Sequence, residues 1–463
     1  MNSHWILTKI PFTRPCRPTN FLLAALCLGV VYIVAPVIAA RHAQQGPNSV
    51  FLAAPSAVYA PDPNDSWNKI FFYLFSRRVE TRVTDEFPEF RRATSFTYRE
   101  NPTGATLPSS IGVSTRFFER DEVGDRAIDP LYPSFLRPTG AEVVLNDPGY
   151  SELSKALGQA LSENTTRSPL ARALMQADLW SAYDTLYSTR FSQRPMPDTE
   201  QRRALLDLLA RMIRKIALTD REIDSLPANY SAAAPLQTLP ALFRNDGEWL
   251  EVAWMPMLHD YAAGYRRVAR VFLKPVHPPR HMNTFLNGLR GDRYSLVDLN
   301  GVALVTQLLL INPKGQLMPT SLTTDVQVRL FEKVPDGALK RTSIQVSEIA
   351  RRQLINGSPS GGLVAKDENA PAYRANGNDY TFASPQPLLG TPILVRLRTR
   401  CTACHASDLS RVMTFAFESF RNGDIPPVRQ LNPVAHEAAD AVMEKKAKQK
   451  DFESLQAIFN SDP

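Results

Sequence analysis

Cysteine is scarce in this chain of 463 residues, with four in all. Cys16 and Cys27 lie ahead of Ala40, so the remainder of the chain holds only Cys401 and Cys404, three positions apart. A domain stapled by disulfides needs more cysteines at wider spacing. The protein must therefore fold on an apolar core, and a hydrophobic content of 44% supplies one. Charge of one sign is also short. A net charge of +7 over this length, with no basic stripe interleaved with aromatics, leaves out the electrostatic footprint of a nucleic-acid binder. There is no phosphate loop, no nucleophile elbow and no H-E-x-x-H. Acid pairs such as Asp121 and Glu122 stand in a polar stretch and read as surface. No internal repeat is visible. Proline, by contrast, is plentiful at 37 residues, well above the average usage of about 5%, which implies many turns and loops.

An uncharged apolar run, FLLAALCLGVVYIVAPVIAA, extends from Phe21 to Ala40. Lys9, Arg14 and Arg17 precede it and no acid does, so the positive-inside bias places everything after it outside the cytoplasm. The run exceeds the usual signal-peptide core of roughly 7–15 residues, and it is about long enough to span a bilayer. Its end in Val37, Ala39 and Ala40 also suits a signal peptidase. Residues 1–40 are thus expected to be a cleaved signal peptide or an uncleaved anchor. Leu26 before Cys27 does not make a lipobox, and no arginine pair marks the leader.

Residues 41–66 are small, polar and proline-containing and read as a linker. Residues 67–148 are mixed and remain unassigned, although WNKIFFYLF at Trp67–Phe75 is apolar enough for a short helix or strand. Residues 149–232 carry helical spacing. Leu153, Ala156, Leu157 and Ala160 recur on one face, Ser168-Pro169 opens a second helix, and Leu205, Leu209, Met212 and Ile213 mark a third. Thr219 with Glu222 predicts a capping box, and Trp180, Tyr183 and Tyr187 read as core aromatics. Residues 247–400 change to a period of two, with strands predicted near 249–254, 268–273, 302–311, 325–331 and 342–346. Asn312-Pro313-Lys314-Gly315 is a tight turn joining two of them. Residues 355–378 read as a loop by composition, and 391–400 as a final strand. A helical stripe follows at 409–420, and a last helix from Pro433 leads through the charged run EKKAKQK, expected to be a solvated face. The expected class is α+β: a helical region, a mainly antiparallel β region, and a short C-terminal helical segment over 401–463.

That segment opens with the one chemically distinctive stretch, CTACH. Cys401, Cys404 and His405 form C-x-x-C-H in a chain with only seven histidines. This arrangement resembles the haem-attachment motif of c-type cytochromes. The resemblance covers these five residues alone. It implies one covalent haem c held by thioethers from Cys401 and Cys404, with His405 as the proximal iron ligand. Attachment outside the cytoplasmic membrane, which the resemblance also implies, agrees with export. The resemblance has departures: Ala406 replaces the usual glycine, and a strand-like segment precedes the motif where an apolar helix is customary.

For the distal ligand the candidates are His436 and Met443, with His277, His281 and Met282 further off; a five-coordinate iron is the remaining case. Arg396, Arg398, Arg400 and Arg411 could pair with haem propionates or simply form a solvated face. Two other readings stay open. The cysteines could close a local disulfide, structural or redox-active, with His405 tuning thiolate acidity. Zinc would need ligands that the neighbourhood does not offer. On this sequence the expectation is an exported electron-transfer protein with an unknown redox partner, no nucleic acid, and a membrane contact only if the leader is retained. The alternatives are an exported structural or binding protein and a five-coordinate haem oxidoreductase.

Overall fold

Asp65 decides how the apolar stretch behind it folds. Its carboxylate accepts a hydrogen bond from the Trp67 backbone N–H at 3.0 Å, the bond of a helix N-cap. Helix α1 follows over Ser66–Phe75, and Trp67, Ile70, Phe71 and Leu74 are buried along one face at helical spacing. The computed structural model describes residues 57–75, 78–83, 113–117, 145, 149–164, 167–187, 199–237, 239–244, 246–252, 266–277, 299–333, 339–366, 371–374, 393–396 and 436–460. Val58 and Tyr59, at the end of the stretch read as a linker, are buried in the main core.

Two short strands come next, β1 (Arg78–Val83) and β2 (Val113–Phe117). The helical region then runs as α2 (Gly149–Ser162), α3 (Pro169–Tyr187), α4 (Glu200–Lys215), α5 (Asp220–Asp224) and α6 (Asn229–Leu236). Ser168 Oγ accepts from the Ala171 N–H at 3.2 Å, so Pro169 occupies the first helical position, where a missing N–H costs nothing. Thr199 caps α4, and the Thr219–Glu222 capping box is formed in both directions. Trp180 and Tyr183 are fully buried, as are Leu174, Met175 and Leu179 on the same helix. A helix buried nearly all round is the central helix of its layer, and each such side chain contributes about 1.5–3 kcal/mol.

From Leu250 the chain builds a sheet in sequence order: β3 (Leu250–Val252), β4 (Arg267–Pro275), β5 (Leu299–Ile311), β6 (Leu317–Lys333) and β7 (Leu339–Ile349). Helix α7 (Arg351–Ile355) then leads to β8 (Leu363–Lys366), which pairs with β7. Every neighbour is antiparallel. The Asn312–Gly315 turn joins β5 to β6. Gly315 adopts φ +73°, a conformation that suits glycine, and Asn312 Oδ1 accepts from the N–H groups of Lys314 at 3.0 Å and Gln316 at 2.9 Å.

The loop expected over 355–378 needs correction. Its turn residues gather at 356–362, where Gly357, Gly361 and Gly362 all have positive φ. After them come β8 and β9 (Pro371–Arg374), each four residues long and too short to show a period. β10 (Ile393–Arg396) falls where the final strand was expected. Strands β1, β2, β9 and β10 form a second sheet in the order β2-β1-β10-β9, in which only β1 and β10 run parallel.

The helices cover one face of the six-stranded sheet. Val268, Phe272, Ala303, Val305, Val326 and Val328 join the helical side chains in one core. A side chain also crosses between the layers. Gln176 of α3 accepts from the Ile311 N–H at 2.9 Å and donates to the Ile311 carbonyl at 2.8 Å. The fold is α+β, with a helical layer, a mainly antiparallel sheet and two C-terminal helices.

Candidate functional site

The chain passes out of the described residues after Arg396 in β10 and re-enters them at His436. Cys401, Cys404 and His405 lie between these points, outside the described residues, as do Arg398, Arg400, Arg411 and the helical stripe at 409–420. The Phe21–Ala40 run lies outside them as well. Among the described residues, no helix is long and apolar enough to cross a membrane, and no group of three or more His, Cys, Asp or Glu side chains is placed to hold a metal ion.

Two helices follow the motif segment, α8 (His436–Ala447) and α9 (Lys450–Asn460). Of the two distal-ligand candidates, His436 is the first residue of α8, and Met443 is half-buried against the main core. His277, by contrast, is exposed just beyond β4.

The buried stripe of α8 runs through Ala439, Val442 and Lys446. The run EKKAKQK is exposed at Glu444, Lys445, Ala447, Lys448 and Lys450, as a solvated face should be, but Lys446 within it is wholly buried, and for that residue the reading needs correction. Its position at helical spacing from Val442 was the available signal; composition hid it. The Lys446 ammonium donates to Asp184 Oδ2 at 2.6 Å, to Asp451 Oδ2 at 3.1 Å and to Gln449 Oε1 at 3.1 Å. It also stands 5.3 Å from the centre of the Trp180 ring, a favourable face for a desolvated cation. Arg266, the residue before β4, brings Nε to 2.9 Å from the same Asp184 oxygen. Burial pushes the Asp184 carboxyl up to about 6, against the pull of Lys446 and Arg266. Tyr183, beside Asp184, bonds Ser454 of α9 at 3.3 Å, and burial raises its phenol to about 12.

Two further closed ion pairs sit in the core. Asp178 of α3 is held by Arg351 of α7 through two bonds, Nη2 to Oδ1 at 2.9 Å and Nε to Oδ2 at 3.0 Å. The Tyr59 hydroxyl donates to Asp178 Oδ2 as well, and burial, then the Asp178 charge, drive that phenol well above its usual range. Glu251 of β3 takes a second two-pronged contact from Arg270 of β4, at 2.7 and 2.6 Å, with the guanidinium 4.5 Å from the Phe243 ring centre. Charges matched and enclosed in this way tie together the elements they join. They offer no exposed nucleophile or base.

The chain matches no known family model, no curated protein and no solved structure.

Proposed function

We propose that the protein is an exported c-type haem protein carrying a single covalent haem, whose role is electron transfer to or from a partner protein. The observation that supports this reading is the C-x-x-C-H at Cys401, Cys404 and His405, in a chain that places its only cysteines beyond the leader there. Cys401 and Cys404 would hold the haem through thioethers, each thiol adding to a vinyl group with nothing lost. The attached protein therefore gains the mass of one whole haem. His405 would hold the iron, with His436 and Met443 as the candidates for a second ligand. The haem supplies a one-electron iron couple when bound. The buried ion pairs serve the folded body that presents the motif, and the apolar leader directs export to the outer side of the cytoplasmic membrane, with or without cleavage.

The test is an absorption spectrum and an intact mass of protein produced in a host with haem-attachment machinery. A Soret band with a mass gain of one haem, both lost in Cys401→Ala/Cys404→Ala, is the expected result. No visible absorption with a mass two hydrogens light overturns the reading and makes the pair a disulfide.

A further inference from the structure

Asp184 lies near the end of α3 and faces charged groups from three other places in the chain. Lys446 of α8 is 2.6 Å away. Arg266, ahead of β4, is 2.9 Å away. Asp451 of α9 shares the Lys446 ammonium at 3.1 Å. Tyr183, its neighbour on α3, is the further titratable group of the cluster, with Tyr187 stacked on it.

Both cations converge on a single Asp184 oxygen, Oδ2. The other, Oδ1, is buried and accepts no hydrogen bond among the described residues. Asp178 is different, since Arg351 engages both of its oxygens. An ionised carboxylate with one oxygen desolvated and unbonded is costly. A proton on that oxygen removes the cost, and Lys446 keeps Asp451 and Gln449 as partners. Once α8 and α9 lift away, Asp184 meets water and the advantage of the proton is gone.

We infer that α8 and α9 form a proton-tightened clasp: protonation of Asp184 holds the two helices onto α3, and its ionisation loosens them.

The direction follows from linkage. Burial raises the Asp184 carboxyl from 3.8 to about 6 in the closed form. The closed form thus binds the proton more tightly than an open, solvated one. This contribution to closure is complete below about pH 4 and is lost as pH rises through about 6. With an ordinary carboxyl in the open form, moving from pH 7.5 to 5.0 strengthens closure about tenfold. This sign is opposite to that of a simple salt bridge, which acid weakens.

Hydrogen exchange of the full chain, read by mass spectrometry on peptides spanning 436–460 and normalised for intrinsic rates, measures the opening directly. The expected result is about tenfold greater protection at pH 5.0 than at pH 7.5. In Asp184→Asn, which has the shape of the protonated acid, protection should be independent of pH over this range. Lys446→Met removes the larger stabiliser of the anion and should move the transition to higher pH. Native protection that is equal at the two values, or greater at pH 7.5, overturns the inference even if neither variant folds.

Discussion

Arg351→Met is the perturbation that most directly tests how the core handles charge. Arg351 and Asp178 are 7% and 1% exposed at their side chains, so water cannot take the place of the guanidinium once it is removed. The variant takes away the only cation shown bonded to both Asp178 oxygens and keeps the Tyr59 hydroxyl on Oδ2. Breaking one side of a buried, doubly bonded pair costs about 3–5 kcal/mol, a large part of the stability of any domain. Tyr59→Phe removes a single donor to the same carboxylate and should cost about 1.5–3 kcal/mol. Replacing both charges, as in Asp178→Leu/Arg351→Met, removes the stranded anion along with its partner. It should recover most of the loss, so that the two single changes are far from additive. Urea unfolding of the native protein, the single variants Arg351→Met, Tyr59→Phe and Asp178→Leu, and the double variant provides the comparison, followed by tryptophan fluorescence and far-UV circular dichroism. Trp67 packs edge-on to Tyr59 at 5.9 Å, which gives a local probe. The reasoning fails if Arg351→Met unfolds within about 1 kcal/mol of the native protein, or if the double variant costs as much as the sum of the single ones.

Two glycine substitutions separate steric clash from backbone strain. In Gly362→Ala the new Cβ would stand 2.3 Å from Leu354 Cβ at φ +68°, so the turn between α7 and β8 must shift. A loss of about 2–4 kcal/mol is expected. Gly357→Ala has a similar φ of +71° but open space around it and should cost only about 1 kcal/mol; thermal melts that fail to separate the two would refute the steric account. Thr219→Ala removes the hydroxyl of the capping box and should lower stability by about 1 kcal/mol, whereas Thr219→Ser should restore the native melting temperature.

Local signals were legible in the sequence wherever one residue does one job. Thr219 with Glu222, Ser168 with Pro169 and the Asn312–Gly315 turn each appear at their expected positions, because caps and turns depend on a few neighbours. The long strands of the meander were legible by their period. Short elements were not: four residues of β8 or β9 cannot display alternation, and the glycines beside them dominate the composition. Trp67–Phe75 was ambiguous until Asp65 was seen as its cap. Lys446 was missed for a different reason. A lysine in a charged run looks solvated, and its burial is made tolerable by Asp184 and Trp180, far away in sequence, together with the nearby Gln449 and Asp451. As for the candidate site, Cys401, Cys404 and His405 are legible as a motif through residue identity and spacing alone, and those identities are what the haem reading rests on.

The two-pronged bond from Gln176 to Ile311 has a consequence for how the protein behaves among copies of itself. Strand β4 begins opposite Leu308, and among the described residues no strand pairs with Ile311 on that side, where its N–H and carbonyl would otherwise lack a ladder partner. Unpaired sheet edges recruit extended segments from neighbouring chains. The carboxamide of one glutamine, holding a donor and an acceptor in the spacing of a peptide group, fills that ladder position from within the helical layer. An approaching strand finds both groups of Ile311 already taken, and the sheet is closed to self-association at that point.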